Sequence, residues 1–206
     1  MTAHHATYMH GWSAAGGETA PRVLGIGGTT RPGSSTELAL LAGLAAARQA
    51  GASTYALAAA DLELPLYAPH QPTDDPRAAH LLEAVAQADG IMIASPGYHG
   101  EISGLVKNAL DYLEELSDGP RPYLEGRAVG CIISATGWQG AVTALQSLRT
   151  VVHALRGWPT PLGIALNSTE PLFYADGGVQ DSAVAARFDL VAEQVVSFAR
   201  NWSTQP

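Results

Sequence analysis

The sequence predicts an α/β domain in which a parallel sheet is covered by helices on both faces. Three observations predict it. Short apolar runs without polar alternation occur at 23–27, 91–95, 128–135 and 161–166, with a weaker one at 53–58, as expected of strands buried on both faces. Five stretches with apolar residues three and four apart separate and follow these runs, as crossover helices require. The loops after the first, third and fourth runs are rich in Gly, Ser, Thr and Tyr. In a parallel sheet all three emerge at the carboxyl edge, so they make one site rather than three.

Residues 1–20 mix His, Ala, Gly, Ser and Thr without periodicity and read as a flexible tail, with His4, His5 and His10 solvated rather than metal-binding. Residues 21–206 read as one domain. After the strand at 23–27 comes a polar loop, then a helix with Leu38, Leu41, Ala45 and Arg48 along one side. The stretch 61–76, with Pro65, Pro69, Pro72 and Pro76, reads as a loop. A helix near 75–88 presents Leu81, Leu82 and Val85. The run 91–94 is expected to stop at a tight turn, Ser95-Pro96-Gly97, and a helix over 101–117 follows with Ile102, Leu105, Val106, Ala109, Leu110 and Leu113 inward. The strand 128–135 leads through a loop to a helix with Leu145, Leu148, Val152 and Leu155. Asp181 is placed to cap a last helix bearing Val184, Phe188, Val191, Val195 and Phe198.

The formal net charge of −8, without a Lys/Arg cluster, argues against nucleic-acid and anionic-membrane binding. No apolar run approaches the roughly 18 residues that would span a bilayer. The first twenty residues lack a basic start and an apolar h-region. The single cysteine, Cys131, excludes an internal disulfide framework and falls inside a strand, as a structural thiol. Cytoplasm is therefore the expected location.

The first loop, Gly28-Thr29-Thr30-Arg31-Pro32-Gly33-Ser34-Ser35-Thr36, offers one permanent cation, several hydroxyls and the N–H groups of a helix start. Those are the parts of a phosphate cradle. The Gly-Lys-Ser/Thr ending of a P-loop is absent, and Gly25, Gly27 and Gly28 do not complete a dinucleotide fingerprint. A helix capped by Ser34 or Ser35 beside a solvated Arg31 is the alternative. The second loop, Ser95, Pro96, Gly97, Tyr98, His99 and Gly100, lacks Gly-x-Ser-x-Gly around Ser95, so a Ser95–His99–Asp111 triad is not expected. Its exposed backbone suits the polar edge of a flat heteroaromatic ring. A plain turn with Tyr98 packed on the core is the alternative. Thr136, Gly137, Trp138, Gln139 and Gly140 repeat the recipe. Trp138 alone would read as packing. The three loops together fit a planar phosphate ester.

These residues resemble the NADPH-dependent FMN reductase family of flavodoxin-like proteins. Gly28, Thr29, Arg31 and Ser34 match its phosphate-loop pattern, with Thr for the first Ser. Ser95, Pro96, Tyr98, Ser103, Gly104, Lys107, Asn108, Leu110 and Asp111 match its second motif, and the likeness covers roughly 21–200. The resemblance implies a doubly wound five-stranded parallel sheet in order 2-1-3-4-5 with FMN at its carboxyl edge. Thr29, Arg31, Ser34 and Thr36, with Ser35 beside them, would hold the phosphate. Residues 95–100 would line the isoalloxazine, and 136–140 its other edge. NADPH or NADH would give a hydride directly to the flavin, which needs no protein acid, base or nucleophile. No catalytic residue and no metal ligand is therefore assigned. A homodimer or homotetramer would form through helix 101–117, where Ser103 and Gly104 allow close approach. Lys107 and Asn108 would bond the loop backbone or a partner, or Lys107 would be solvated.

The expected activity is an NAD(P)H:FMN oxidoreductase that either supplies reduced flavin to a partner monooxygenase or keeps FMN and reduces a quinone, azo compound or metal oxyanion. A flavodoxin-like electron carrier is the competing class, against which Arg31 argues. A binding module without turnover, or a site for another phosphorylated compound, completes the alternatives.

Overall fold

The structure, a computed structural model, describes residues 12, 20–71 and 73–202. The expected tail, including His4, His5 and His10, lies outside the described residues except for Trp12 and Ala20. Trp12 packs on Tyr55, with its Nε1 donating to Gln87 Oε1 at 3.1 Å.

In chain order the elements are β1 (Arg22–Gly27), α1 (Ser35–Gln49), β2 (Ser53–Ala58), α2 (Pro76–Gln87), β3 (Gly90–Tyr98), β4 (Glu101–Ile102), α3 (Gly104–Asp111), β5 (Ala128–Ala135), α4 (Trp138–Ala154), β6 (Trp158–Pro159), β7 (Ile164–Asn167) and α5 (Ser182–Trp202). The parallel order is β2-β1-β3-β5, and β6 and β7 share the final edge beside β5. With that edge counted once, the order is the expected 2-1-3-4-5.

Strand residues alternate between two cores. Leu24, Ile26, Ile91, Ile93, Cys131 and Ile133 face α2, α3 and α4, against Leu81, Val85, Val106, Leu110, Leu148 and Val152. Met92 and Ile132 face α1 and α5, against Leu40, Leu44, Phe188, Val191 and Val195. Burial pushes the Cys131 thiol up to about 12, so it stays protonated and inert. Asp181 caps α5, its Oδ1 accepting from Ala183 N at 2.7 Å.

Four expectations are corrected. The buried face of α1 is Ala39, Leu40, Gly43, Leu44 and Ala47, not the stripe through Leu38 and Arg48. Gly43 is part of it because an added Cβ would lie 2.8 Å from Met92 Sδ; small residues that let a helix sit close are invisible to a search for large apolar ones. The strand expected to end at Ser95 continues to Tyr98, since β3 turns back antiparallel onto β4. The turn is His99-Gly100, with φ of 54° and 84°, the positive pair of a two-residue hairpin. Accordingly the helix expected over 101–117 is three pieces: β4, α3 and a 3-10 turn over Tyr112–Leu116. The strand expected at 161–166 begins only at Ile164, as β7, and a separate short piece of the same edge, β6, precedes it.

Lys107 pairs with Asp111 one turn on at 2.5 Å. Asn108 accepts from Tyr67 N at 2.8 Å and donates to Pro65 O at 2.9 Å. It thereby fixes the proline-rich loop after β2, the loop-backbone role among the expected ones. Ser103 is buried as the N-cap of α3, accepting from Val106 N at 3.2 Å, so it is not available for close packing. Gly104 faces open space.

Candidate active site

The carboxyl edge of the sheet opens into a cavity of about 460 Å³. Its walls include Thr29, Arg31, Ser34, Ser35 and Thr36 from the first loop and Pro96, Gly97, Tyr98, His99 and Gly100 from the hairpin. Ser134, Ala135, Thr136, Gly140 and Ser168 close the far side. The three loops thus meet at one place.

The first loop is built around α1's start. Gly27 must be glycine, because a Cβ there would sit 1.9 Å from Ala94 O on β3. This close approach lets Gly28 N donate to Ala94 O at 3.1 Å and turns the chain outward. Thr29 Oγ1 donates to Arg31 O at 3.1 Å and closes a short turn. Ser34 caps the helix, accepting from Glu37 N at 3.2 Å, and Glu37 Oε2 accepts from Gly33 N at 2.7 Å. Ser35 Oγ meets Ser134 Oγ at 2.9 Å and ties the loop to β5.

The remaining polarity is unpartnered. Among the described residues, the Arg31 guanidinium has no ion pair, and the Ser35 and Thr36 N–H groups and the Thr36 hydroxyl have no protein acceptor or donor. Thr36 is nevertheless buried and lines the cavity. Buried donors without partners are costly unless a ligand satisfies them, and this set asks for an anion rich in acceptors. Capping by Ser34 and an anion site at the same helix start coexist here.

The hairpin is held rigidly. Ser95, expected at the site, is fully buried: its Oγ accepts from Ser103 N at 2.9 Å. It connects β3 to the cap of α3 and does not line the cavity. Gly97 presses on β5, since a Cβ would lie 2.8 Å from Ala135 Cβ. Glu101 accepts from Ser147 on α4. Tyr98, 55 % exposed, stands in the wall rather than on the core.

Trp138 and Gln139 open α4 and are exposed, Trp138 at 48 %. Neither they nor Gly137 lines the cavity directly. Gly137 has φ of 103°, and its N–H donates to Asn167 Oδ1 at 2.9 Å. That oxygen also accepts from Thr169 N and Oγ1, while Asn167 Nδ2 donates to Glu170. Asn167, Ser168, Ser134 and Glu37 were missed from sequence. The loop after the last parallel strand must emerge at the same edge, and that signal alone points to Asn167 and Ser168.

A second depression, about 320 Å³ between α1 and α5, is lined by Gln49, Asp189, Glu193 and Arg200. Its two carboxylates disfavour an anion. Among the described residues no cluster suits a metal ion and no helix is long and apolar enough to cross a membrane.

Residues 21–170 match the family model of NADPH-dependent FMN reductases. The chain belongs to this family. It is 33 % identical over 123 residues to an FMN-dependent NADPH-azoreductase of Staphylococcus aureus, a match covering 59 % of this chain and 62 % of that relative. Among solved structures it is similar to FerB, a flavoenzyme NAD(P)H:(acceptor) oxidoreductase from Paracoccus denitrificans, with a TM-score of 0.72, 19 % identity and coverage of 88 % of this chain and 98 % of that one. An NADH:FMN oxidoreductase in apo form gives a TM-score of 0.67 at 19 % identity, covering 91 % and 92 %. At such identities these two likenesses establish the flavodoxin-like fold of this family member.

Proposed function

We propose that this family member is an FMN-dependent NAD(P)H reductase. The observation that carries the reading is the unpartnered set at the start of α1, Arg31 with the Ser35 and Thr36 donors, opening into the same cavity as the Pro96–Gly100 backbone. A phosphate fits the first group and the edge of a flat ring fits the second.

When bound, FMN supplies two-electron chemistry, accepting a hydride from reduced nicotinamide and reducing a second acceptor. The chain's own work is placement. Thr29, Arg31, Ser34, Ser35 and Thr36 would hold the phosphate, and the hairpin backbone from Pro96 to Gly100 would border the ring. The 136–140 segment, anchored through Gly137 to Asn167, would form the opposite border. Tyr98, in the cavity wall, and Trp138, two residues after the lining Thr136, offer exposed aromatic surface for a flat partner. None of these residues is assigned as acid, base or nucleophile.

The activity named for the Staphylococcus relative supports a small conjugated acceptor, azo or quinone, as second substrate. Release of reduced FMN to a partner monooxygenase is the other arm. A self-pairing surface including Gly104 on α3, giving a dimer or tetramer, and a cytoplasmic location where NAD(P)H is abundant belong to the same proposal.

An anaerobic absorbance trace of the purified chain with FMN and then NADPH or NADH tests the reading. Bleaching of the flavin band at catalytic protein concentration is expected, and the faster nucleotide identifies the donor. FMN that binds without bleaching would make the chain an electron carrier. A yellow purified protein would place it with the enzymes that retain flavin.

A further inference from the structure

We propose that Glu37 sets the phosphate affinity of the cradle through two opposed effects: its carboxylate preforms the loop, and its charge weakens the grip on a dianion. The inference rests on the flavin reading above.

Glu37 is the third residue of α1 and is 5 % exposed. Its Oε2 takes the Gly33 N–H at 2.7 Å, at a residue whose φ is 69°. Its own N–H is taken by Ser34 Oγ. At the loop's other end, an ideal Cβ on Gly28 would be 3.9 Å from Glu37 Cβ. Glu37 therefore sits behind the loop, between its two ends, while Thr29, Arg31 and Ser34 face the cavity in front. The loop is held in its binding shape by this contact, which lowers the ordering cost of taking up a ligand.

The same carboxylate works against the ligand. It occupies the Gly33 N–H, a loop amide one residue before the Ser34 cap that would otherwise be open to an anion, and its charge offsets part of the positive end of the α1 dipole. Among the described residues no cation pairs with it. A phosphate dianion bound in front meets this negative charge within the first turn of the same helix. The bond to Gly33 could be made by a side-chain amide as well as by a carboxylate, but only the carboxylate brings a charge that a bound dianion meets. A buried anion beside an anion site instead favours a cofactor that exchanges.

The test separates shape from charge. Glu37→Gln keeps an oxygen for Gly33 and removes the charge; Glu37→Ala removes both. Affinities for FMN and riboflavin are measured by quenching of flavin fluorescence in the full chain, with folding followed by thermal melting. The expected order of FMN-over-riboflavin preference is wild type, then E37A, then E37Q. E37Q should gain about tenfold in FMN affinity, the scale of removing one nearby like charge after screening, while riboflavin affinity stays within about twofold. E37A should fall several-fold below E37Q, because the loop is no longer held.

If E37Q does not fold, E37A alone carries the charge test, since it too should exceed wild type in preference. Either folded variant at or below wild-type preference overturns the proposal. A wild-type chain that prefers FMN, with variants that do not respond, rejects the role of Glu37 and leaves the flavin reading intact. A wild-type chain that binds neither flavin overturns both.

Discussion

Arg127 lies under the amino edge of the sheet and Arg31 over its carboxyl edge, and the fold treats the two guanidiniums in opposite ways. Arg127 is fully buried, and its nitrogens donate to the carbonyls of Ala88, Ala86, Tyr123 and Glu125 at 3.0–3.3 Å. Burial, with Arg121 nearby, lowers it to about 10. It ties the end of α2 and the approach to β3 to the approach to β5. Arg31 is exposed, with no such partner. Where every guanidinium nitrogen finds an internal carbonyl the residue is architecture. Where charge, N–H and hydroxyl groups converge without partners, the polarity is reserved for something that arrives.

The comparison can be broken from either side. Arg127→Ala leaves a void and orphaned carbonyls, so stability should fall by about 3–5 kcal/mol in urea unfolding, with FMN affinity of the folded protein unchanged. An effect below about 1 kcal/mol would deny its structural role. Arg31→Ala should do the reverse: FMN binding weakens by about 1.5–3 kcal/mol, riboflavin binding is unaffected, and stability moves by no more than about 0.5 kcal/mol. Equal losses for FMN and riboflavin would remove the phosphate from the Arg31 side of the site.

A smaller effect sharpens the contrast within the carboxyl edge. Asn167→Ala frees Gly137 and should weaken FMN and riboflavin together by about 1–2 kcal/mol, measured by the same fluorescence titration. A selective loss of FMN would place Asn167 in the phosphate half instead. A further effect concerns pH. The Cys131 thiol is raised from 9.0 to about 12 in the fold by burial, and Tyr67 from 10.0 to about 12, by desolvation first and then its bond to Glu115. The folded state retains these protons longer than the unfolded chain. Stability is therefore full below about pH 9 and should fall as pH rises toward 12. Denaturant midpoints that stay flat over that window would contradict it.

Much of this was legible in the residues. The apolar runs located all the central strands because parallel strands buried on both faces cannot hide among polar neighbours. The first loop announced itself through Arg31 and its hydroxyls. What escaped had a physical reason in each case. Ser95-Pro96-Gly97 reads as a breaker, yet Pro96 lies opposite Ser134 in the ladder and the chain turns only at His99-Gly100; local propensity yields to an existing neighbour strand. The inner face of α1 is made of Ala and Gly beside Leu40 and Leu44, so the larger Leu38 and Leu41 drew the stripe to the wrong side. Asn167 acts through backbone groups of a distant loop, and no spacing in the sequence encodes that.

The interruption between β6 and β7 has its own consequence. Along β5, Val129 faces Pro159 and Ile132 faces Ile164, so the outer strand carries two more residues than its neighbour over that span. Pro159 and Pro161 bring no amide hydrogens, and Arg149 Nη1 takes up the carbonyl of Thr160 at 2.7 Å. A continuous outer strand would offer a straight row of amides and carbonyls to any extended peptide that drifted past. This border is too crooked to serve as a template, and at that margin the sheet is guarded against growing by recruitment of another chain.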